Sequence, residues 1–262
     1  MTVETAAKDK DQVEHNESPA SRPREAHAQQ SPYVVENKKA PPSPLKHGEQ
    51  LTRDEFERRY EAMPRLKKAE LIEGIVYIGS PVRADIHGGP HARIMTWLGV
   101  YCAATPGVQC ADNATVHLDP NNEVQPDGLL RIDENGTSFL NDKGYIEGAP
   151  ELIVEIAGTS ADYDLHEKLE AYLRNGVAEY IVWQTQEERL DWFRLVNEEY
   201  VPMVPDAEGL IESQTLPGLR LAVKALMEGD LAAVLSELQK GLETDEHAAF
   251  VKRLLEKRNL DT

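Results

Sequence analysis

The sequence predicts an α/β fold of α+β character: a mixed central β-sheet with flanking helices, followed by C-terminal helices. Three features carry that prediction. Short runs rich in branched and aromatic residues (70–78, 125–132, 151–156 and 179–183) have the length and composition of strands. Between them, apolar residues recur at helical spacing, as at Ile94, Met95, Leu98, Tyr101 and Cys102. Two of the strand-like runs also hold a carboxylate, Asp127 and Glu155, each costly to bury unless paired, hydrogen-bonded or bound to a metal.

Residues 1–50 contain six prolines, mixed charges and little aliphatic pattern, a composition that predicts a disordered leader. A folded domain is expected over 51–220 and a helical extension over 221–262. In the first helix, Thr52 is the expected cap and Glu55 stands in the capping-box position, with Pro64 near its end. Glu70 to Ile78, broken at Gly74, reads as a strand, turn and strand, and Glu73 is either a turn carboxylate or a site residue. Pro90 suits the first turn of the next helix, and ~100° per residue places His91 on the face of Ile94 and Leu98. A histidine there is a hydrogen-bonded core residue, or else a group placed to support a metal site or act as a base.

After the Pro106-Gly107 turn, residues 107–118 read as one strand, 125–132 as the next and 151–156 as a third. Asp127 shares a face with Leu129, and Glu155 with Ile153. In the right register the two acids lie side by side, as a hard divalent cation requires. Residues 158–162 offer a break and helix caps, Leu165, Leu169, Tyr172 and Leu173 form the next apolar stripe, and Asn175-Gly176 ends it. Lys168 falls roughly 85° from the centre of that stripe, at its boundary. Residues 179–183 form a strong strand, 190–204 a hairpin, and the aliphatic pattern of 221–258 two or three helices that pack on the sheet or on another subunit.

Composition narrows the function classes. No run approaches the ~18 apolar residues that span a bilayer, and Met1 to Lys10 lacks the apolar core of a secretory signal, so a cytoplasmic protein without membrane contact is expected. Cys102 and Cys110 are too few for a disulfide framework and read as reduced core thiols. The net charge is -18, and residues 111–170 alone hold fourteen acidic against three basic residues. That surplus argues against tight nonspecific nucleic-acid binding, and no zinc finger or base-reading helix is evident. Histidines and thiols show no clustering in the sequence that would suit zinc.

The ordered set Glu70-Leu71-Ile72-Glu73-Gly74, Ser80-Pro81, Gln125-Pro126-Asp127, Gly148 through Glu155, Tyr163-Asp164, Glu167-Lys168-Leu169, Tyr172 and Gly176 through Trp183 resembles the bacterial Uma family of restriction endonucleases. That family lies within the PD-(D/E)XK nuclease superfamily, and the resemblance covers roughly residues 55–220. It implies a restriction-endonuclease-like core in which Pro126-Asp127 and Glu155 are the acidic signature. The lysine expected two residues after Glu155 is replaced by Ala157, and Lys168 on the following helix is the position that the family pattern offers instead. Tyr172 lies one helical turn from it.

The resemblance implies an enzyme: a Mg2+- (or Mn2+-) dependent endodeoxyribonuclease hydrolysing phosphodiester bonds in DNA. Asp127 and Glu155 would bind metal, Lys168 would act in catalysis, and His91, Glu73 and Tyr172 would support them. The competing expectation is a catalytically inactive nuclease-fold module for binding or assembly, prompted by Ala157 and the acidity. A homodimer through the C-terminal helices is a third.

Overall fold

A computed structural model describes residues 42–158 and 166–258. Most of the expected leader, and the caps expected at 159–162, lie outside the described residues. Residues 42–50 run along the hairpin that follows, with Leu45 buried and Gln50 bridged to Ile75. Thr52 caps α1 (Arg53–Glu61), its hydroxyl accepting from the Glu55 amide at 3.4 Å. The turn between β1 (Ala69–Ile72) and β2 (Ile75–Ile78) sets Glu73 and Gly74 at φ 54° and 73°, a left-handed pair that a tight hairpin demands.

A π-helical turn (Ala84–Gly88) leads directly into α2 (Gly89–Ala104), with Pro90 in its first turn. The expected strand over 107–118 is divided into β3 (Val108–Ala111) and β4 (Val116–Asp119), which enter different sheets. Asn113 between them takes a positive φ of 50°, a turn conformation that asparagine tolerates better than branched residues. Of the expected strand over 125–132, only β6 (Gly128–Ile132) forms; Gln125-Pro126-Asp127 is a connection from the preceding β5 (Asn122–Val124), which belongs to the other sheet. Pro126 in the gap has no amide to give to a ladder, and here the chain crosses from one sheet to the other.

The remaining elements are β7 (Ser138–Leu140), β8 (Ile146–Gly148), β9 (Leu152–Ala157), α3 (Glu167–Arg174), β10 (Glu179–Gln184), β11 (Arg189–Val196), β12 (Glu199–Met203), β13 (Leu210–Glu212) and β14 (Arg220–Ala222). Three helices follow: α4 (Val223–Glu228), α5 (Leu231–Leu242) and α6 (Asp245–Arg258).

The expected mixed sheet with flanking helices is thus built as two mixed six-stranded sheets, ordered β2-β1-β5-β4-β8-β7 and β12-β11-β10-β9-β6-β3, beside a β13-β14 ribbon that the sequence pattern did not reveal. Residues on the facing surfaces of the two sheets, among them Ile72, Val116, Val124, Leu129, Ile153 and Val182, make one core cluster, which Tyr172 of α3 completes. The other face of the second sheet meets α2 and the C-terminal helices in a larger cluster that contains Trp97, Trp192, Leu226, Val234, Leu238, Phe250 and Leu254. The aliphatic stripe that prompts a subunit contact therefore packs within the chain. On the outer face of the first sheet, Phe56 of α1 lies with Leu71 and Val76.

Candidate active site

The crossing at Gln125-Pro126-Asp127 sets up the site. Strands β6 and β9 pair antiparallel with Gly128 opposite Val154 and Leu129 opposite Ile153, a register that carries Asp127 to the level of Glu155. Both side chains then point toward the inter-sheet core, on the face of Leu129 and Ile153. Gly128 makes the approach of α2 feasible, because a Cβ there would meet Met95 Sδ at 2.9 Å and Leu98 Cδ1 at 3.1 Å. One helical turn before Met95, His91 places its Nε2 2.8 Å from the Asp127 carbonyl oxygen and 3.2 Å from Asp112.

Asp127 is 3 % exposed, and its carboxylate is fully engaged. Oδ2 accepts from the Ile156 amide at 2.8 Å and lies 3.2 Å from His87 Nε2, while Lys68 Nζ sits 3.3 Å from Oδ1. Burial alone would raise this acid. The His87 hydrogen bond, the charge of Lys68 and the Ile156 amide outweigh burial and hold the carboxyl well below the usual range. Lys68 is held above its ordinary value, since attraction to Glu70 and Asp127 overcomes burial and the repulsion of Lys168.

Glu155 is met from α3. Its Oε1 accepts from Lys168 Nζ and from Tyr172 Oη, each at 2.8 Å, and Lys168 Nζ also lies 3.1 Å from Glu70 Oε1. Glu70 is fixed in turn by the Gln125 amide, which donates to Oε1 at 2.8 Å. Lys168 is only 2 % exposed, deeper than the boundary position expected from its helical angle. The packing of α3 between the sheets draws the amine inward to two buried carboxylates. Ala157, on the same face as Glu155, is fully buried in the core cluster, so a lysine at that position would have to displace packed side chains.

Lys68, Glu70, His87, Asp127, Glu155 and Lys168 line a cavity of about 620 Å³. The structure thus brings together Asp127, Glu155 and Lys168, sets Tyr172 on Glu155 and places His91 behind Asp127. Glu73 stays apart in the β1–β2 turn, bonded to Asn122 and Arg174.

Three residues of the cleft were missed. Glu70 and Lys68 could have been found by parity, because they alternate with Leu71 and share the inward side with Ile72. His87 stands four residues before His91, a one-turn spacing, and reaches Asp127 from the π-helical turn. Away from the cleft, Glu57 of α1 lies with His117 and Glu123, which strand pairing sets side by side, a grouping that a linear reading does not reveal.

The arrangement defines an α/β protein with a buried acid and lysine constellation at the edge of its inter-sheet core. A solved structure described as a putative nuclease belonging to DUF820, from Anabaena variabilis, shares this fold: the TM-score is 0.50 at 16 % identity, covering 68 % of this chain and 98 % of that one. The Uma2 family, described as "Putative restriction endonuclease", matches residues 53–224, and the chain belongs to it. Curated proteins give no match. Among the described residues no helix is long and apolar enough to cross a membrane.

Proposed function

We propose that the chain is a divalent-metal-dependent endonuclease that hydrolyses phosphodiester bonds in DNA, working in the cleft of Asp127, Glu155 and Lys168. The observation that carries this reading is the buried Lys168 amine, 2.8 Å from Glu155, in one cavity with Asp127 and in a chain of a restriction endonuclease family.

The donor chemistry fits a hard cation. Asp127, Glu155 and Glu70 offer carboxylate oxygens with no thiolate among them, and the depressed Asp127 keeps its charge at neutral pH. Asp127 and Glu155 are the residues that would hold Mg2+ or Mn2+. Such an ion supplies Lewis acidity toward the phosphate and a more acidic water.

The protein's own part is positioning and charge. Lys168, anchored on Glu155 and Glu70, presents a fixed positive charge to the negative charge that develops on the phosphate. Tyr172 shares Glu155 Oε1 and fixes that carboxylate's rotamer. His87 and the Ile156 amide hold Asp127 from two sides, and His91 braces its backbone. Lys68, partly exposed at the mouth, adds positive charge where an anionic strand would enter an otherwise acidic surface.

The second reading, a nuclease-fold binding module without turnover, is favoured by two features: each acid is already engaged by protein cations or donors, and Ala157 replaces the lysine of the signature. Incubating the purified chain with supercoiled, linear and single-stranded DNA in Mg2+ or Mn2+ separates the two. Cleavage abolished by Asp127→Asn supports the enzyme; intact DNA of every form, with no divalent-cation heat at the cleft in calorimetry, supports the module.

A further inference from the structure

A second cluster lies on the opposite face of the first sheet. Strand pairing sets Leu71 opposite Glu123, Glu123 opposite His117 and His117 opposite Glu147, so these four side chains form one row across β1, β5, β4 and β8. Glu70, next to Leu71, projects to the other face, toward Lys168. The row faces α1, which adds Glu57 beside the buried Phe56. Fold topology thereby separates this cluster from the cleft.

Its polar atoms are incompletely satisfied. His117 and Glu123 are each 3 % exposed, and His117 Nε2 and Glu123 Oε2 are buried without a hydrogen-bond partner. His117 Nδ1 is taken by Glu147 Oε1 at 2.8 Å, and Glu147 is itself steadied by the Asn141 amide at 2.9 Å. Donation from Nδ1 leaves the Nε2 lone pair directed at two carboxylates, Glu123 at 3.6 Å and Glu57 at 3.9 Å. Two facing acceptors repel unless a proton or a cation lies between them. Among the described residues, Arg53 at 3.3 Å and Lys143 at 3.5 Å make their ion pairs with Glu57 and reach Glu123 only through longer-range charge.

We propose that Glu57, His117 and Glu123 form a binding site for a zinc-class divalent ion, separate from the nuclease cleft, that ties α1 to the first sheet. One ligand atom from each residue falls within 4.8 Å of the others. Ligands at about 2.0–2.2 Å around a tetrahedral ion stand about 3.3–3.5 Å apart, so the 3.6 and 3.9 Å spacings from His117 need a few tenths of an ångström of closure, with the two carboxylates drawn together from within 4.8 Å. Three protein ligands with an imidazole among them suit zinc better than magnesium, which takes oxygen and keeps its waters. Glu147 supplies the outer carboxylate that fixes the tautomer of a metal-binding histidine.

The test uses the full chain freed of metal by chelation and then titrated calorimetrically with Zn2+, with Mg2+ as control. Co2+ serves as the optical probe of tetrahedral coordination. Expected are one Zn2+ per chain that persists in Asp127→Asn, a visible Co2+ band, and a melting temperature raised by Zn2+ but not by Mg2+. Glu57→Gln, on the outer helix, and Glu147→Gln should weaken Zn2+ binding by about 10-fold or more while both proteins stay folded. Absence of Zn2+ binding in the wild type overturns the proposal, as does binding that survives His117→Asn and Glu57→Gln, or binding lost only in Asp127→Asn.

Discussion

Replacing Lys168 with methionine tests the centre of the cleft. Methionine keeps most of the stem volume and removes the charge. The amine lies 2.8 Å from Glu155 and 3.1 Å from Glu70, all three groups being at most 6 % exposed, so its loss takes the cation these two buried carboxylates share. Breaking a buried ion pair by removing one partner costs about 3–5 kcal/mol, against about 0–1 for a surface pair. In a chain of this size that is a fall of about 10 °C in melting temperature. Adding Glu155→Gln to Lys168→Met should recover at least about 1 kcal/mol, because one uncompensated charge is gone. Urea unfolding of the wild type, both single variants and the double variant, at pH 7 with chelator, gives the coupling directly. A Lys168→Met loss under about 1 kcal/mol, or additive single effects, would show that the amine is solvated in solution and would refute the geometry on which the proposed function rests.

Three further outcomes are expected. Asp127→Asn should lower DNA cleavage by at least about 100-fold, the equivalent of about 2.7 kcal/mol of transition-state stabilisation, while circular dichroism stays native; a variant retaining a tenth of wild-type activity would remove Asp127 from the chemistry. Burial, then the neighbouring Glu57, pushes Glu123 from 4.5 up to about 8, so between those values the folded chain holds a proton that the unfolded chain has released. Metal-free stability should therefore decline as pH rises from about 4.5 to about 8, by up to about 1.4 kcal/mol per unit, and Glu123→Gln should flatten that slope in denaturant titrations. Gly128→Ala should destabilise by about 1–3 kcal/mol through its clash with Met95 and Leu98, and a neutral result in thermal melts would show that α2 shifts freely on β6.

Much of the fold was legible because local rules sufficed. Thr52 and Glu55 marked the first helix, Glu73-Gly74 the first hairpin, and the branched run at 179–183 the strand β10. The hairpin over 190–204 was likewise local. That Asp127, Glu155 and Lys168 come together in one cleft was legible from residue type, face parity and the order of the family's motifs.

What the sequence determined by itself was which residues had to seek partners: two carboxylates in apolar runs, and a lysine at the edge of an apolar stripe. Only the tertiary structure decided which partners they found. The division of 107–118 and of 122–132 between two sheets depends on pairings between distant strands, whose periodicity is the same whichever sheet they join. That division puts the sheet crossing at Pro126-Asp127, turns Glu70 toward Lys168 on one face and lines Glu123, His117 and Glu147 on the other. Lys68 and His87 reach Asp127 across 59 and 40 residues of chain. No local pattern encodes such contacts, because they arise where separately folded elements meet and a buried charge takes whatever counter-charge the packing brings within reach.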